Sequence, residues 1–176
     1  MIYSVANLEN ILLDSNGNCK LSNFRYTLDF IIYSTPMYKR GNQQDGTIFP
    51  SKSQKDEYSA PEILKNPGSI EYSFDFWRLG IMAYKMLSGK FPFSDKDKII
   101  SEKPDLDSLQ ISTEAKDFIA ELLIKEKFER LGSKQNKKEV KEHEFFNEIN
   151  WHQLENGQII PPFKPSVVSI LEFLDF

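Results

Sequence analysis

The sequence contains little cysteine, no excess of positive charge and no long apolar run. Cys19 is the only cysteine among 176 residues, which excludes an internal disulfide and favours a reducing compartment. Lys and Arg total 22 against 26 Asp and Glu, so we expect neither a nucleic-acid nor an anionic-membrane partner. Because we find no signal peptide and no apolar span, we expect a soluble intracellular protein, located in the cytoplasm.

An apolar stretch at 73–89 predicts a buried central helix. Its apolar residues recur at steps of three and four: Phe74, Trp77, Ile81, Tyr84 and Leu87. The polar residues form only a narrow strip that includes Arg78 and Lys85, so the helix belongs in the middle of a domain. Ser73 is the predicted N-cap, and Gly89 is predicted to end the helix in the left-handed conformation.

The remaining pattern predicts a mainly α chain with one short β-hairpin. Two apolar runs, 11–14 and 19–21, flank an Asn-Gly turn, which is a strong hairpin signal. An irregular span from 26 to about 58 follows, and its length indicates a functional or disordered loop. Further helical segments are predicted at 60–65, 95–102, 112–125 and 136–146, with a short turn at 151–154.

Eight short segments, taken together, identify a family. In chain order they read LENILLD (8–14), KLSNF (20–24), EYSAPEIL (57–64), DFWRLG (75–80), GKFPF (89–93), ERLG (129–132), KEHEFF (141–146) and PPFKP (161–165). At this spacing they resemble the C-terminal lobe and tail of the AGC group of serine/threonine protein kinases. The resemblance implies a kinase-like C-terminal lobe, mainly α with a short hairpin, organised on the central helix at about 73–88.

The resemblance also implies a domain organisation. It divides the chain into a partial kinase lobe at 1–146 and an AGC-type tail at 147–176. Within the lobe it implies a catalytic-loop and metal-turn hairpin at 1–25, an activation segment at 26–59 and a helical subdomain at 60–146. Because the match begins at the catalytic loop, we expect the N-terminal lobe, with its glycine-rich loop and its lysine, to be absent from this chain.

The positions that carry catalysis in the family are degenerate in this sequence. Val5 stands where the family has the aspartate that accepts the substrate hydroxyl proton, and an isopropyl group accepts no proton. Asn7 replaces the lysine that stabilises charge on the transferring phosphate, and Lys55 replaces an activation-segment threonine. The resemblance therefore implies that no catalytic residue is intact.

The metal-binding positions are degenerate as well. Asn10 matches the family's metal-binding amide, but Asn23 replaces the aspartate of the Asp-Phe-Gly motif, and Arg25 replaces its glycine. Magnesium in nucleotide sites is usually held by one or two carboxylates together with substrate phosphates. ATP and Mg²⁺ are cofactors of the family, and we expect neither to be bound by this chain, although Asn10 and Asn23 keep the positions of a cofactor site.

Three further residues match structural positions of the family. Glu62 and Arg130 correspond to a buried ion pair that fixes the end of the activation segment. Asp75 corresponds to a residue that hydrogen-bonds the catalytic-loop backbone; alternatively, its carboxylate only favours the helix N-terminus. For His143 we find no acidic or cysteine partner nearby, so we expect its ring to serve packing.

Two functional hypotheses follow. The first is a pseudokinase lobe without phosphotransfer, whose role is to bind a protein partner through an exposed apolar surface. The second is that the chain is a fragment of a longer ATP-dependent serine/threonine protein kinase. The residues 173–176 resemble the AGC hydrophobic motif, which docks on an N-terminal lobe, or a truncated version of the active-site tether.

Overall fold

The structure, a computed structural model, describes residues 7–24, 56–66, 71–133 and 138–166. These residues are mostly helical, with a single two-stranded antiparallel sheet among them, which confirms the predicted fold class. The strands are β1 (Ile11–Leu13) and β2 (Cys19–Leu21), and the α-helices are α1 (Pro61–Lys65), α2 (Ser73–Ser88), α3 (Lys96–Ser101), α4 (Thr113–Leu122), α5 (Lys138–Glu142) and α6 (Trp151–Glu155). Within the described ranges, 3₁₀-helices span Leu8–Asn10, Asp56–Tyr58 and Glu144–Phe146. No helix in this part of the chain combines the length and apolarity needed to cross a membrane.

The predicted hairpin is confirmed. Ile11 pairs with Leu21, and Leu13 pairs with Cys19, in antiparallel register. The Asp14 carboxylate closes the turn by accepting the backbone N–H groups of Asn16 and Asn18, each at 2.9 Å. These bonds, above all the one from the Asn18 backbone, lower the pKa of Asp14.

The central helix α2 is present over the predicted range, but its start differs from the prediction. Ser73 is the first helical residue, and the N-cap is Tyr72, which makes no side-chain capping bond. Ser73 is buried, and its carbonyl oxygen accepts a hydrogen bond from Arg130 at 2.9 Å. At the other end Gly89 adopts φ +76° and donates its N–H to Lys85, as predicted.

Helices α3 and α4 begin within one residue of the predicted starts, and a side chain caps each start. The Asp95 carboxylate caps α3 through the Lys98 N–H at 3.0 Å, and the Ser112 hydroxyl caps α4 through the Ala115 N–H at 3.2 Å. Helix α4 ends at Leu122, three residues before the predicted position.

A single helix at 136–146 was predicted, and this prediction is wrong. The described part of that segment consists of α5 and a 3₁₀-helix, separated by His143 in an extended conformation (φ −64°, ψ 142°). The His143 Nδ1 atom accepts the Phe145 N–H at 3.1 Å. Since a capping side chain satisfies a backbone donor outside the helix, His143 begins a new turn instead of continuing α5.

The core lies between α2 and α4. Trp77 and Ile81 on α2 are fully buried, as are Ile119 and Leu122 on α4. The Trp77 ring is stacked on Phe93, with the ring centroids 6.0 Å apart. A second aromatic group joins α4 to the residues that follow α5: Phe118, Phe145, Phe146 and Trp151.

A comparison of alanine substitutions at Gly132 and Gly89 separates the free-energy cost of one packing contact from that of backbone strain. Both have positive φ, +81° and +76°, so alanine costs about 1–2 kcal/mol at either position. A Cβ at Gly132 would lie 2.6 Å from the Phe76 ring, whereas a Cβ at Gly89 would meet nothing within 4 Å. Overpacking adds about 1–3 kcal/mol, so we expect Gly132→Ala to lower the free energy of unfolding by about 2–5 kcal/mol, more than Gly89→Ala. Urea denaturation of both variants tests this, and equal losses would contradict the proposed steric role of Phe76.

Candidate functional site

The hairpin and the turns beside it bring Asn10 and Asn23 together. These are the two residues at which the family resemblance implies metal ligands. The 3₁₀-helix Leu8–Asn10 is capped by Asn7, whose side-chain oxygen accepts the Asn10 N–H at 3.0 Å. The Asn10 carbonyl oxygen accepts the Ser22 N–H at 2.9 Å and the Ser22 hydroxyl at 3.0 Å. These bonds fix the backbone on both sides of the hairpin at the point where its strands begin and end.

The side chains of Asn10 and Asn23 are hydrogen-bonded to each other. The Asn23 Nδ2 atom donates to Asn10 Oδ1 at 3.3 Å, and Asn23 has a positive φ of 61°. We call these two residues the amide pair. Asn10 is buried and Asn23 is exposed, so the pair lies at the surface of the lobe.

The donor set of the amide pair does not fit a magnesium–nucleotide site. Mg²⁺ prefers hard, anionic oxygen ligands in octahedral geometry, whereas both side chains are neutral and one amide oxygen already accepts a hydrogen bond from the other. Nowhere in the described ranges do three or more His, Cys, Asp or Glu side chains form a group that could hold a metal.

Of the three residues at the degenerate catalytic positions, only Asn7 is among those that the structure describes. Asn7 lies beside the pair, and its side chain is used as a helix cap. Val5, Arg25 and Lys55 lie outside the described residues, so their roles remain predictions. The same holds for the terminal motif at 173–176.

The structure also brings Glu62 and Arg130 together, 68 positions apart in sequence. The guanidinium donates through Nη1 and Nη2 to the two Glu62 carboxylate oxygens at 2.8 and 3.0 Å. Arg130 is fully buried and donates further bonds to the carbonyl oxygens of Ser73 at 2.9 Å and Ile124 at 3.1 Å. This residue therefore ties α1, the start of α2 and the end of α4 into one unit.

Asp75 lies in the first turn of α2, near Arg78, whose burial the sequence pattern did not predict. Arg78 was placed on a polar strip of the helix, yet it is only 2 % exposed, and its guanidinium lies 4.5 Å from the centroid of the Phe74 ring. Burial lowers the pKa of Arg78 to about 10, against the attraction of Asp75, which raises it. The predicted bond from Asp75 to the catalytic-loop backbone involves residues outside the described ranges and stays a prediction.

Lys125 is a partly buried cation that periodicity did not reveal. Its ammonium group donates to the Ile99 carbonyl oxygen at 2.6 Å and lies 3.9 Å from the Phe93 ring centroid. Burial, followed by the charge of Arg130, lowers the pKa of Lys125 to about 8.

His143 has acidic neighbours, contrary to the sequence-based expectation. Its Nε2 atom lies 3.6 Å from an Asp117 carboxylate oxygen and 3.9 Å from one of Glu121. Both carboxylates lie on α4, more than twenty residues earlier in the chain. The ring also packs against Phe118 with centroids 5.1 Å apart, so the packing role holds together with this electrostatic contact.

Comparison with known proteins agrees with the motifs. The protein kinase domain family matches residues 7–146. Protein kinase 3 from Dictyostelium discoideum is 33% identical over 175 residues, which cover 97% of this chain and 19% of that protein. RAC-beta serine/threonine-protein kinase from Homo sapiens is also 33% identical, over 96% of this chain and 34% of that protein. Rhodopsin kinase GRK7 from Bos taurus is 31% identical, over 94% of this chain and 29% of that protein.

The chain spans about a third or less of the length of these relatives. The residues matched by the family include the β1–β2 hairpin, the central helix and the segment that contains Arg130. The chain belongs to the protein kinase superfamily and is similar to its AGC-type serine/threonine members.

Proposed function

We propose that this chain is the C-terminal lobe of a serine/threonine protein kinase that no longer transfers phosphoryl groups and acts by binding. The observation that carries the proposal is the amide pair. In it, two neutral side chains are hydrogen-bonded to each other at the positions where the family resemblance places metal ligands. Phosphoryl transfer depends on metal ions that bridge the β- and γ-phosphates and neutralise developing charge.

The proton-transfer position supports the same proposal. Val5 stands where a carboxylate would orient the substrate hydroxyl and accept its proton, and valine has neither charge nor lone pair. Asn7 adds no positive charge for the transferring phosphate, and its side-chain oxygen caps the 3₁₀-helix. Several catalytic positions have thus changed, whereas the Glu62–Arg130 ion pair that supports the fold is kept.

A protein partner is the proposed ligand. The hairpin exposes the large apolar side chains of Leu12, Leu13 and Leu21, and Phe24 just after it is exposed as well. Exposed apolar patches mark interaction surfaces. We propose no nucleic-acid or membrane partner, and a cytoplasmic location stays a prediction of the sequence.

The test is nucleotide-dependent stabilisation of the purified chain. We expect MgATP to leave the Tm of the chain unchanged, because we propose that the chain does not bind it. Binding at a hundredfold excess over Kd would instead stabilise the folded chain by about 2.7 kcal/mol and raise its Tm. Asn23→Asp restores one carboxylate at the pair and is expected to make the Tm respond to Mg²⁺. Asn147→Asp, which adds the same charge at an exposed position on another part of the chain, is the matched control and is expected to give no response. A Tm increase of the unaltered chain with MgATP would contradict the proposal.

A second candidate function is favoured by the relatives' length. Because the chain spans about a third or less of them, it could be part of a longer ATP-dependent serine/threonine protein kinase. The mass of the native polypeptide in its own cells distinguishes the two. A species near 20.5 kDa favours an isolated lobe, and a species about twice as large favours a kinase-sized protein, in which Val5 and Asn23 would still weaken the chemistry.

A further inference from the structure

Lys125 places a partly buried amine close to aromatic rings. Its Nζ atom donates a hydrogen bond to the carbonyl oxygen of Ile99, on α3, at 2.6 Å. The same atom lies 3.9 Å from the centroid of the Phe93 ring and 4.9 Å from that of the Trp77 ring. This amine therefore has a carbonyl oxygen and two aromatic rings as neighbours where an exposed lysine has water.

A cavity of about 440 Å³ adjoins Lys125. It lies between the C-terminal end of α4 and the segment that follows α3, and its lining includes Pro104, Leu106 and Leu123 together with the charged residues Lys103, Glu121 and Glu129. Small-molecule sites in proteins typically measure about 300–1,000 Å³ and are mostly apolar. The cavity therefore has room for a small reactant beside the lysine, with aliphatic walls to receive an acyl chain.

The charges around Lys125 favour its neutral form. None of the ion pairs among the residues that the structure describes includes this lysine. Burial lowers its pKa most, the charges of Arg130 and Lys65 lower it further, and the Glu102 carboxylate opposes them only in part. A neutral amine can still donate an N–H to the Ile99 carbonyl oxygen, so its lone pair is left for a reactant.

We propose that Lys125 is a modification site of this chain, at which a small thioester transfers its acyl group to the amine. The neutral nitrogen attacks the thioester carbonyl, the C–N bond forms and the C–S bond breaks, and the leaving thiolate takes up the proton that the nitrogen loses. The product amide is uncharged, so acylation removes the cation that faces Phe93 and Trp77. The inference does not depend on whether the chain transfers phosphate.

Competition between lysines within one chain tests the proposal. The intact chain is treated at about pH 7.5 with a limiting amount of S-acetyl-N-acetylcysteamine, a small thioester, and the acetylation of each lysine is measured by peptide mass spectrometry. Lys103, an exposed residue on the same cavity, is the internal reference.

The expected preference follows from the neutral fraction of the Lys125 amine. A change of pKa from 10.5 to about 8 raises this fraction at that pH by more than about a hundredfold. A less basic nucleophile is also weaker, as for thiols, which offsets about tenfold of the gain. We therefore expect Lys125 to be acetylated about tenfold faster than Lys103 in the folded chain. We also expect its rate to level off above about pH 8, where deprotonation is nearly complete.

Two further arms separate the fold and the cavity from the intrinsic chemistry of lysine. Concentrated urea is expected to abolish the preference, because burial of the amine depends on the fold. Ala120→Phe enlarges an exposed side chain of the cavity lining and is expected to slow acetylation of Lys125 severalfold while leaving that of Lys164, an exposed residue elsewhere, unchanged. Acetylation of Lys125 no faster than that of Lys103 in the folded chain, or an equal preference in urea, would overturn the proposal. An unchanged Lys125 rate in Ala120→Phe would overturn the part assigned to the cavity.

Discussion

Replacement of Arg130 by leucine is expected to lower the free energy of unfolding by about 3–5 kcal/mol. The side chain is fully buried and makes four hydrogen bonds, two of them to the Glu62 carboxylate. Leucine would leave a carboxylate of low exposure without its counterion, and the carbonyl oxygens of Ser73 and Ile124 would lose a donor. Leaving buried groups unsatisfied costs more than the net energy of the bonds themselves.

The Arg130 prediction is checked by urea denaturation with two comparison variants. Arg130→Lys keeps the charge but loses the planar fork that reaches both carboxylate oxygens, so we expect an intermediate loss. Lys98→Ala removes an exposed ion pair with Glu102, 3.9 Å long, and is expected to change stability by about 0.5 kcal/mol or less. A loss for Arg130→Leu no larger than that for Lys98→Ala would show that the buried pair does not hold the lobe together.

Replacement of Trp77 by alanine is expected to be similarly damaging, at about 3–5 kcal/mol. Trp77 is fully buried at the centre of α2 and is stacked on Phe93. The cationic groups of Lys125 and Arg130 lie 4.9 and 5.1 Å from its ring centroid. Alanine would leave a cavity and remove the aromatic surface that these two cationic groups face.

Trp77→Phe separates packing from hydrogen bonding. The indole N–H has no hydrogen-bond partner among the residues that the structure describes, so phenylalanine loses ring volume but no hydrogen bond. We expect a loss of about 1–2 kcal/mol, well below that of alanine. Equal losses for both variants in chemical denaturation would contradict this, because a phenyl ring would then recover none of the packing that alanine loses.

Elements decided by neighbouring residues could be predicted from the sequence. The three- and four-residue spacing placed α2 correctly, and the Asn-Gly turn placed the hairpin. The helices predicted at 95–102 and 112–125 begin within one residue of α3 and α4, whose starts Asp95 and Ser112 cap. In each case the interacting groups lie within a few residues, so the pattern contains the information that the structure uses.

Predictions failed where a distant contact overrides the local pattern. The segment 136–146 has helical spacing, yet His143 caps a new turn and packs against Phe118. Arg78 lies on the polar strip of α2 but is buried, because that strip faces other parts of the lobe and not water.

The sequence by itself determined the family, the hairpin, the central helix and the absence of a carboxylate at Asn10 and Asn23. Only the tertiary structure decided that Asn10 and Asn23 hydrogen-bond each other, that Arg130 joins three elements, and that the tail passes Gly17. The physical reason is that propensity and periodicity act over one or two turns. Hydrogen bonds and close packing, in contrast, depend on distances that exist only once the chain has folded.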